Sequence, residues 1–124
     1  MKIYVTHSTG YDYKNELYEP VMTSQLYKQH EIILPHLTSE FINSKEVIAK
    51  SDLILAEVSF PSTGQGIELG WANHLGKKII CFYKSGAKYS SSLKVVSDLF
   101  FEYNSNDEMI NKLTDSVHSW KSDV

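Results

Sequence analysis

The chain has 124 residues, a formal net charge of −3 and a pI near 5.9. That length accommodates one domain with a single core, and the 12 basic residues are scattered rather than clustered, which argues against nucleic acid as a polymeric partner. The one cysteine, Cys81, lies in the apolar run Lys78-Ile79-Ile80-Cys81-Phe82-Tyr83 and reads as a core thiol in a reducing compartment.

The opening Met1-Lys2-Ile3-Tyr4-Val5 enters a strand pattern directly, without the apolar stretch of a signal peptide. No run approaches the roughly 20 apolar residues of a membrane span, so a soluble cytoplasmic protein with no membrane contact is expected. In chain order, Ile3 to Thr6 reads as a first strand. Tyr13 to Gln29 reads as a helix with Leu17, Tyr18, Val21, Leu26 and Tyr27 on its apolar face, kinked or delayed by Pro20. A second strand is expected at Glu31 to Leu34, then a helix capped by Thr38 or Ser39 and running to about Lys50. The third strand is Asp52 to Val58, and a helix from about Gly64 to Leu75 ends at Gly76. Lys78 to Tyr83 gives the fourth strand, Ser85 to Ser92 a polar loop followed by a short helix, Leu99 to Tyr103 the fifth strand, and Asp107 to Trp120 a closing amphipathic helix. Strands alternating with helices predict a single α/β domain over residues 1–124, doubly wound and parallel, with the flavodoxin-like strand order 2-1-3-4-5.

In that order the first and third strands flank the switch point at which ligands bind. Two loops then face each other, Thr6-His7-Ser8-Thr9-Gly10-Tyr11 and Ser59 to Gly66, both rich in hydroxyls and glycine. Backbone and hydroxyl donors in such loops approach a phosphate or sugar closely. The second loop leads into a helix that carries Glu68 in an otherwise small and apolar stretch, and a helix N-terminus at a strand end offers free N–H groups and a positive dipole to an anion. The residues thus suggest an anion site beside a carboxylate. An ordinary alternative is a capping box, Ser62-x-x-Gln65, with Glu68 a solvated helix residue.

The pieces Ala56-Glu57-Val58-Ser59, Pro61-Ser62, Gly64, Gly66, Glu68-Leu69-Gly70, Ala72 and Gly76-Lys77 resemble the signature of the nucleoside 2-deoxyribosyltransferase superfamily, and more specifically its 2′-deoxynucleoside 5′-phosphate N-hydrolase branch. The resemblance is dense over about Asp52 to Phe82 and thinner elsewhere. It implies an N-glycosidase in which Glu68 attacks the anomeric carbon and water resolves the glycosyl-enzyme, the logic of a retaining glycosidase. In the transferases a second base does the resolving. Tyr4 matches a family tyrosine near the nucleophile. Ser62, six residues before Glu68, matches a hydrolase serine that binds the 5′-phosphate where transferases carry aspartate. Ser92 aligns with a serine that reaches the phosphate from a neighbouring subunit, which implies a homodimer with shared sites. The resemblance calls for no cofactor. The five histidines, His7, His30, His36, His74 and His118, likewise show no metal-ligand spacing, and the turn lacks the P-loop lysine pattern.

Two departures from the family pattern bear on activity. The register of the family's second acidic residue, about eight positions before Asp52, lands on Ser44, with Glu40, Asn43 and Glu46 nearby; loss of a general acid typically costs about 10²–10⁴-fold. The loop after the first strand has no arginine near it, which leaves phosphate binding to Ser8, Thr9, Ser62, the backbone at Gly64 and Gly66, Ser92 or Lys88, with His7 as a phosphate or base contact. Tyr11, Tyr13 and Trp71 are candidates to stack on a base or to serve as core or dimer contacts. Three alternatives stand beside the hydrolase reading: deoxyribosyl transfer, a nucleotide-sensing module that kept the pocket and lost turnover, and a weaker likeness of Ile3-Tyr4-Val5-Thr6-His7-Ser8 to the start of TIR-type NAD glycohydrolase domains.

Overall fold

The five apolar runs pair as one parallel sheet in the computed structural model, which describes residues 1–122. Its strands are β1 (Lys2–His7), β2 (Glu31–Ile33), β3 (Leu53–Glu57), β4 (Lys78–Lys84) and β5 (Leu99–Tyr103), in the order β2-β1-β3-β4-β5. The helices are α1 (Glu19–Met22), α2 (Gln25–Gln29), α3 (Ser44–Lys50), α4 (Thr63–His74) and α5 (Asn106–Ser122). Both the parallel architecture and the strand order agree with the sequence pattern. Strand alternation divides the core between the two sheet faces. Ile3, Val5, Leu53, Leu55, Ile80 and Phe82 pack with Leu17, Tyr18, Val21 and Leu26 and with Met109, Leu113 and Val117, which recur every fourth residue on α5. Tyr4, Ile54, Ala56, Ile79 and Cys81 pack with Ile48 of α3 and Leu69 and Ala72 of α4. β3 is buried along its whole length because both faces are covered. Cys81 is fully buried, and burial pushes its thiol pKa up to about 12.

Two helices differ from the sequence reading. The stretch expected as one helix from Tyr13 to Gln29 is a π turn at Lys14–Tyr18, then α1, then α2. Pro20 has no N–H to donate to the carbonyl four residues back, which accounts for the wider turn before it. The break after α1 follows from hydroxyls that take over its last carbonyls: Thr23 Oγ1 donates to Glu19 O at 2.9 Å and Ser24 Oγ to Val21 O at 2.6 Å. The second difference is α3, which starts at Ser44 rather than after Thr38 or Ser39. Its cap is Asn43, whose side chain accepts from Glu46 N at 3.4 Å, while Thr38 Oγ1 accepts only from Glu40 N in a local turn. Gly76 ends α4 as predicted, with φ at 73° and its N–H on Asn73 O. Among the described residues no helix is long and apolar enough to cross a membrane.

Candidate functional site

Polar side chains buried in a fold this small need a reason, and Thr6, His7, Ser8, Glu57, Ser59 and Gln65 are all buried at one place, the C-terminal ends of β1 and β3 and the start of α4. This is the switch point, where β1 and β3 are neighbours and their crossovers leave in opposite directions. A cleft of about 470 Å³ opens there, lined by His7, Thr9, His36, Ser44, Ser62, Gly64, Gln65, Ile67, Glu68 and Trp71. Hollows of about 660 Å³ between β5 and α5, and about 760 Å³ beside α1 and the start of α5, are larger but hold none of these groups.

Glu68 is half-buried in this cleft and is not a solvated helix residue. Tyr4 and Thr6, two residues apart on β1, point to the same face and meet it: the Tyr4 hydroxyl donates to Oε2 at 2.7 Å and Thr6 Oγ1 to Oε1 at 2.7 Å. Each carboxylate oxygen is therefore fixed by one O–H from a rigid central strand. Burial, and after it the charge of Glu68, raises the Tyr4 pKa well above the ordinary phenol value, so Tyr4 stays a donor at any physiological pH. Ser44, the first residue of α3, lies beside the Tyr4 hydroxyl and lines the cleft. Glu40 and Glu46 are exposed and outside the lining, and Asn43 is committed to its cap, so none of these three stands in for the acid missing at Ser44.

The N-terminus of α4 forms one wall. Ser62 is its N-cap in extended conformation, and its Oγ accepts from Gln65 N at 3.5 Å, the outer limit of a hydrogen bond. The capping box is only half made, because the Gln65 amide turns away and donates to Glu57 O at 2.7 Å and Thr6 O at 3.3 Å. A Cβ at Gly64 would meet nothing within 4 Å, so glycine there leaves the cleft wall open. Gly66 and Ser92 lie instead on a second hollow of about 430 Å³, which shares Ser62 and Gln65 with the cleft. Ser92 is exposed, at the start of a 3₁₀ turn, Ser91–Val95. Lys88 lines neither hollow.

In the loop after β1, Thr9 lines the cleft, whereas Ser8 is buried and its Oγ accepts from Gly10 N at 3.0 Å. His7 lines the cleft, with both of its ring nitrogens engaged by the protein. Its Nδ1 lies 2.8 Å from Ser8 O, an acceptor only, so Nδ1 carries a proton; Tyr18 Oη accepts from His36 N at 2.9 Å and lies 2.7 Å from Nε2, to which it donates. Burial lowers the His7 pKa, which keeps the ring neutral. Both ring nitrogens are spent inside the protein, so His7 presents the cleft with a ring edge and no donor for phosphate. Tyr13 packs on His7 at 4.7 Å and Tyr11 on Phe60 at 4.8 Å beneath the Lys84 ammonium, so both serve the packing of this loop. Lys84 also pairs with Glu16, and the buried Glu57 carboxylate accepts from Ser59 N, Ser59 Oγ and the Tyr103 hydroxyl.

The sequence reading missed Thr6, His36 and the side-chain role of Gln65. Thr6 was legible as a neighbour of Tyr4 at period two, but nothing in the chain order says that α4 crosses above it. His36 reaches the cleft from the loop after β2, where its ring meets His7 at 5.5 Å. Trp71, one turn beyond Glu68, forms the outer wall with Lys45 above its ring at 5.7 Å. No group of three or more His, Cys, Asp or Glu side chains suited to a metal ion occurs among the described residues.

No family model matches the chain. Curated relatives include 5-hydroxymethyl-dUMP N-hydrolases of Tetraodon nigroviridis, 37% identical over 65 residues, 48% of this chain and 46% of that protein, and of Esox lucius, 40% identical over 58 residues, 45% of this chain and 40% of that protein. The chain thus spans less than half the length of the curated relatives it matches. Among solved structures, a CMP N-glycosidase of Clostridium botulinum superposes with a TM-score of 0.66 at 25% identity, over 92% of this chain and 99% of that one. A 2-deoxyribosyltransferase of Bacillus psychrosaccharolyticus shares the fold, with a TM-score of 0.61 at 19% identity over 90% of this chain and 91% of that one. Over part of its length the chain is thus similar in sequence to N-hydrolases, and over nearly all of it it shares the fold of an N-glycosidase and a deoxyribosyltransferase, in keeping with its resemblance to the nucleoside 2-deoxyribosyltransferase superfamily.

Proposed function

We propose that the protein is an N-glycosidase that hydrolyses the base–sugar bond of nucleoside 5′-monophosphates, with Glu68 as nucleophile. The observation that carries this reading is the pair of hydroxyls, Tyr4 and Thr6, that hold one oxygen each of the Glu68 carboxylate at 2.7 Å in the switch-point cleft. A carboxylate held in this way is aimed, and an aimed carboxylate can attack C1′ of a bound sugar. As the Glu68 oxygen bonds to C1′, the C1′–N bond breaks and its electron pair leaves with the base, which takes a proton. Water then adds to C1′, loses a proton and releases Glu68 as carboxylate. His36 lines the cleft and is the side chain we assign to meet the leaving base, with Trp71 as its stacking wall. At the other end of the sugar, the Ser62 hydroxyl and the first-turn N–H groups of α4 receive the 5′-phosphate. The long Ser62–Gln65 cap leaves both available. A 2′-deoxy sugar is preferred, because no electron-withdrawing 2′-hydroxyl opposes the oxocarbenium-like transition state. A cytoplasmic homodimer is our reading of the assembly, with Ser92 of each copy completing the phosphate site of the other.

The test is chromatographic detection of free base from ribo- and deoxyribonucleoside 5′-monophosphates, the parent nucleosides and NAD, with Glu68→Ala in parallel. Release from monophosphates that vanishes in E68A is the expected result and names the base. Nucleotide binding without release identifies a sensing module, and release from NAD alone overturns the substrate class.

A further inference from the structure

We propose that Gln65 is a positioning residue that sets the aim of Glu68 by bolting α4 to both strands of the switch point. This rests on the N-glycosidase reading above. Gln65 is buried, and its single amide nitrogen donates to two backbone carbonyls on different strands, Glu57 O of β3 at 2.7 Å and Thr6 O of β1 at 3.3 Å. Those carbonyls sit where the two strands end, His7 being paired in register with Glu57, and a carbonyl oxygen has two lone pairs, so each can accept from a side chain as well as from the ladder. The amide of Gln65 adds one hydrogen to each of them and so ties α4 to both strand ends.

The second hydrogen bond has a consequence beyond packing. Thr6 is gripped by α4 twice: its carbonyl accepts from Gln65 and its hydroxyl donates to Glu68. The two helix residues are three apart, neighbours on one helix face. Two contacts from one strand residue to successive turns fix both the rotation of α4 and its distance from β1. The contact to Glu57 O adds a third point on the adjacent strand and removes the remaining freedom to slide along β1. A carboxylate aimed by hydroxyls on β1 needs this, because a displacement of about 1 Å at the helix can cost on the order of 10²-fold in rate. The sequence pattern assigns Gln65 to the reciprocal half of a capping box, yet the side chain serves the strands instead.

Gln65→Met keeps length and apolar bulk and removes both donors. Two measurements decide the matter: steady-state base release from the preferred monophosphate, and a crystal structure of Q65M. The expected result is a kcat lower by about 10- to 100-fold, KM within about threefold of wild type, and a Glu68 carboxylate out of hydrogen-bond reach of Tyr4 or Thr6. A lowered melting temperature with unchanged kcat, or a structure in which both hydroxyl contacts persist, overturns the proposal. If Q65M fails to fold, Gln65→Asn, whose amide is one methylene short, goes through the same two measurements with the same criteria. A wild-type protein that releases no base defeats the functional reading alone, since the crystal structure still decides whether Gln65 holds Glu68 in place.

Discussion

Two hydroxyl donors on one carboxylate make opposite demands on a nucleophile, and this permits a sharp test with Tyr4→Phe and Thr6→Val. Hydrogen bonds to a charged group contribute about 1.5–3 kcal/mol each. In the proposed reaction the negative charge of Glu68 would be consumed as the bond to C1′ forms, so both bonds would be weaker in the transition state than before it. On energy alone their removal would speed the reaction. Geometry opposes this. Tyr4 and Thr6 are essentially inaccessible, at 1% and 0% exposure, on the strand between β2 and β3, and they hold opposite oxygens of the same group at 2.7 Å. With one donor gone the carboxylate pivots about the other and the attacking lone pair leaves its line. If aim dominates, each substitution lowers kcat/KM by about 10- to 100-fold, or about 1.4–2.8 kcal/mol. The double variant then falls within about tenfold of the weaker single one, because the donors act as a unit. Both changes keep the buried shape, Tyr to Phe at the ring and Thr to Val at a β-branched strand position. The assay is initial-rate base release at saturating and limiting monophosphate, with unfolding followed in parallel. A rise in kcat/KM for either variant, or values within about threefold of wild type, would refute the claim that the pair aims Glu68.

Further outcomes follow from the same geometry. Ser44→Asp returns an acid to the cleft beside the Tyr4 hydroxyl, and base release should rise by up to about 10²-fold with a new pH dependence in kcat. Trp71→Ala removes the outer wall of the cleft and should raise KM by about 5- to 10-fold with little change in kcat, as loss of a stacking surface does. His7 and Glu57 tilt stability in opposite directions. Burial lowers the His7 pKa below its ordinary 6.5, so the unfolded chain takes up a proton that the folded one refuses, and stability is lost as pH falls below about 6.5. Burial raises the Glu57 pKa above its ordinary 4.5, so the folded chain keeps a proton that the unfolded one has released, and stability falls as pH rises from about 4.5 through that raised value. Urea titrations from pH 4 to 8 should therefore flatten on the His7 side in His7→Gln and on the Glu57 side in Glu57→Gln, and a change of the opposite sign would show the assignments to be wrong.

Much of the architecture is legible because parallel strands buried on both faces leave continuous apolar runs, as at Leu53-Ile54-Leu55-Ala56, and because Gly76 punctuates the end of α4. The helices go astray where local hydroxyl chemistry competes with the helical pattern: Thr23 and Ser24 end α1 early, and Asn43 rather than Thr38 caps α3. The site divides along the same line. Glu68, Ser62 and Gly64 lie in one contiguous segment and reach the cleft together. Thr6 and Gln65 are visible only once β1 lies beneath α4, because their partners are 62 and 59 residues away in the chain.

His7 marks the same limit from the other side. A histidine at a strand end beside a phosphate-sized cleft invites a ligand role, and only the chain of donors from His36 N through Tyr18 Oη shows that its nitrogens are already satisfied. With both nitrogens engaged, His7 adds no free donor to the proposed phosphate site. All 12 basic residues of the chain are lysines, and the Lys84 ammonium is taken up by Glu16 and the Tyr11 and Phe60 rings. On the proposed reading, neutral donors, the Ser62 hydroxyl and the N–H groups at the head of α4, do most of the anion binding. Monophosphate affinity should accordingly fall only modestly with added salt, as expected when dipoles and hydroxyls rather than exposed cations hold an anion. A steep salt dependence of KM would instead point to a cationic contact, from Lys45 above the Trp71 wall or from another chain.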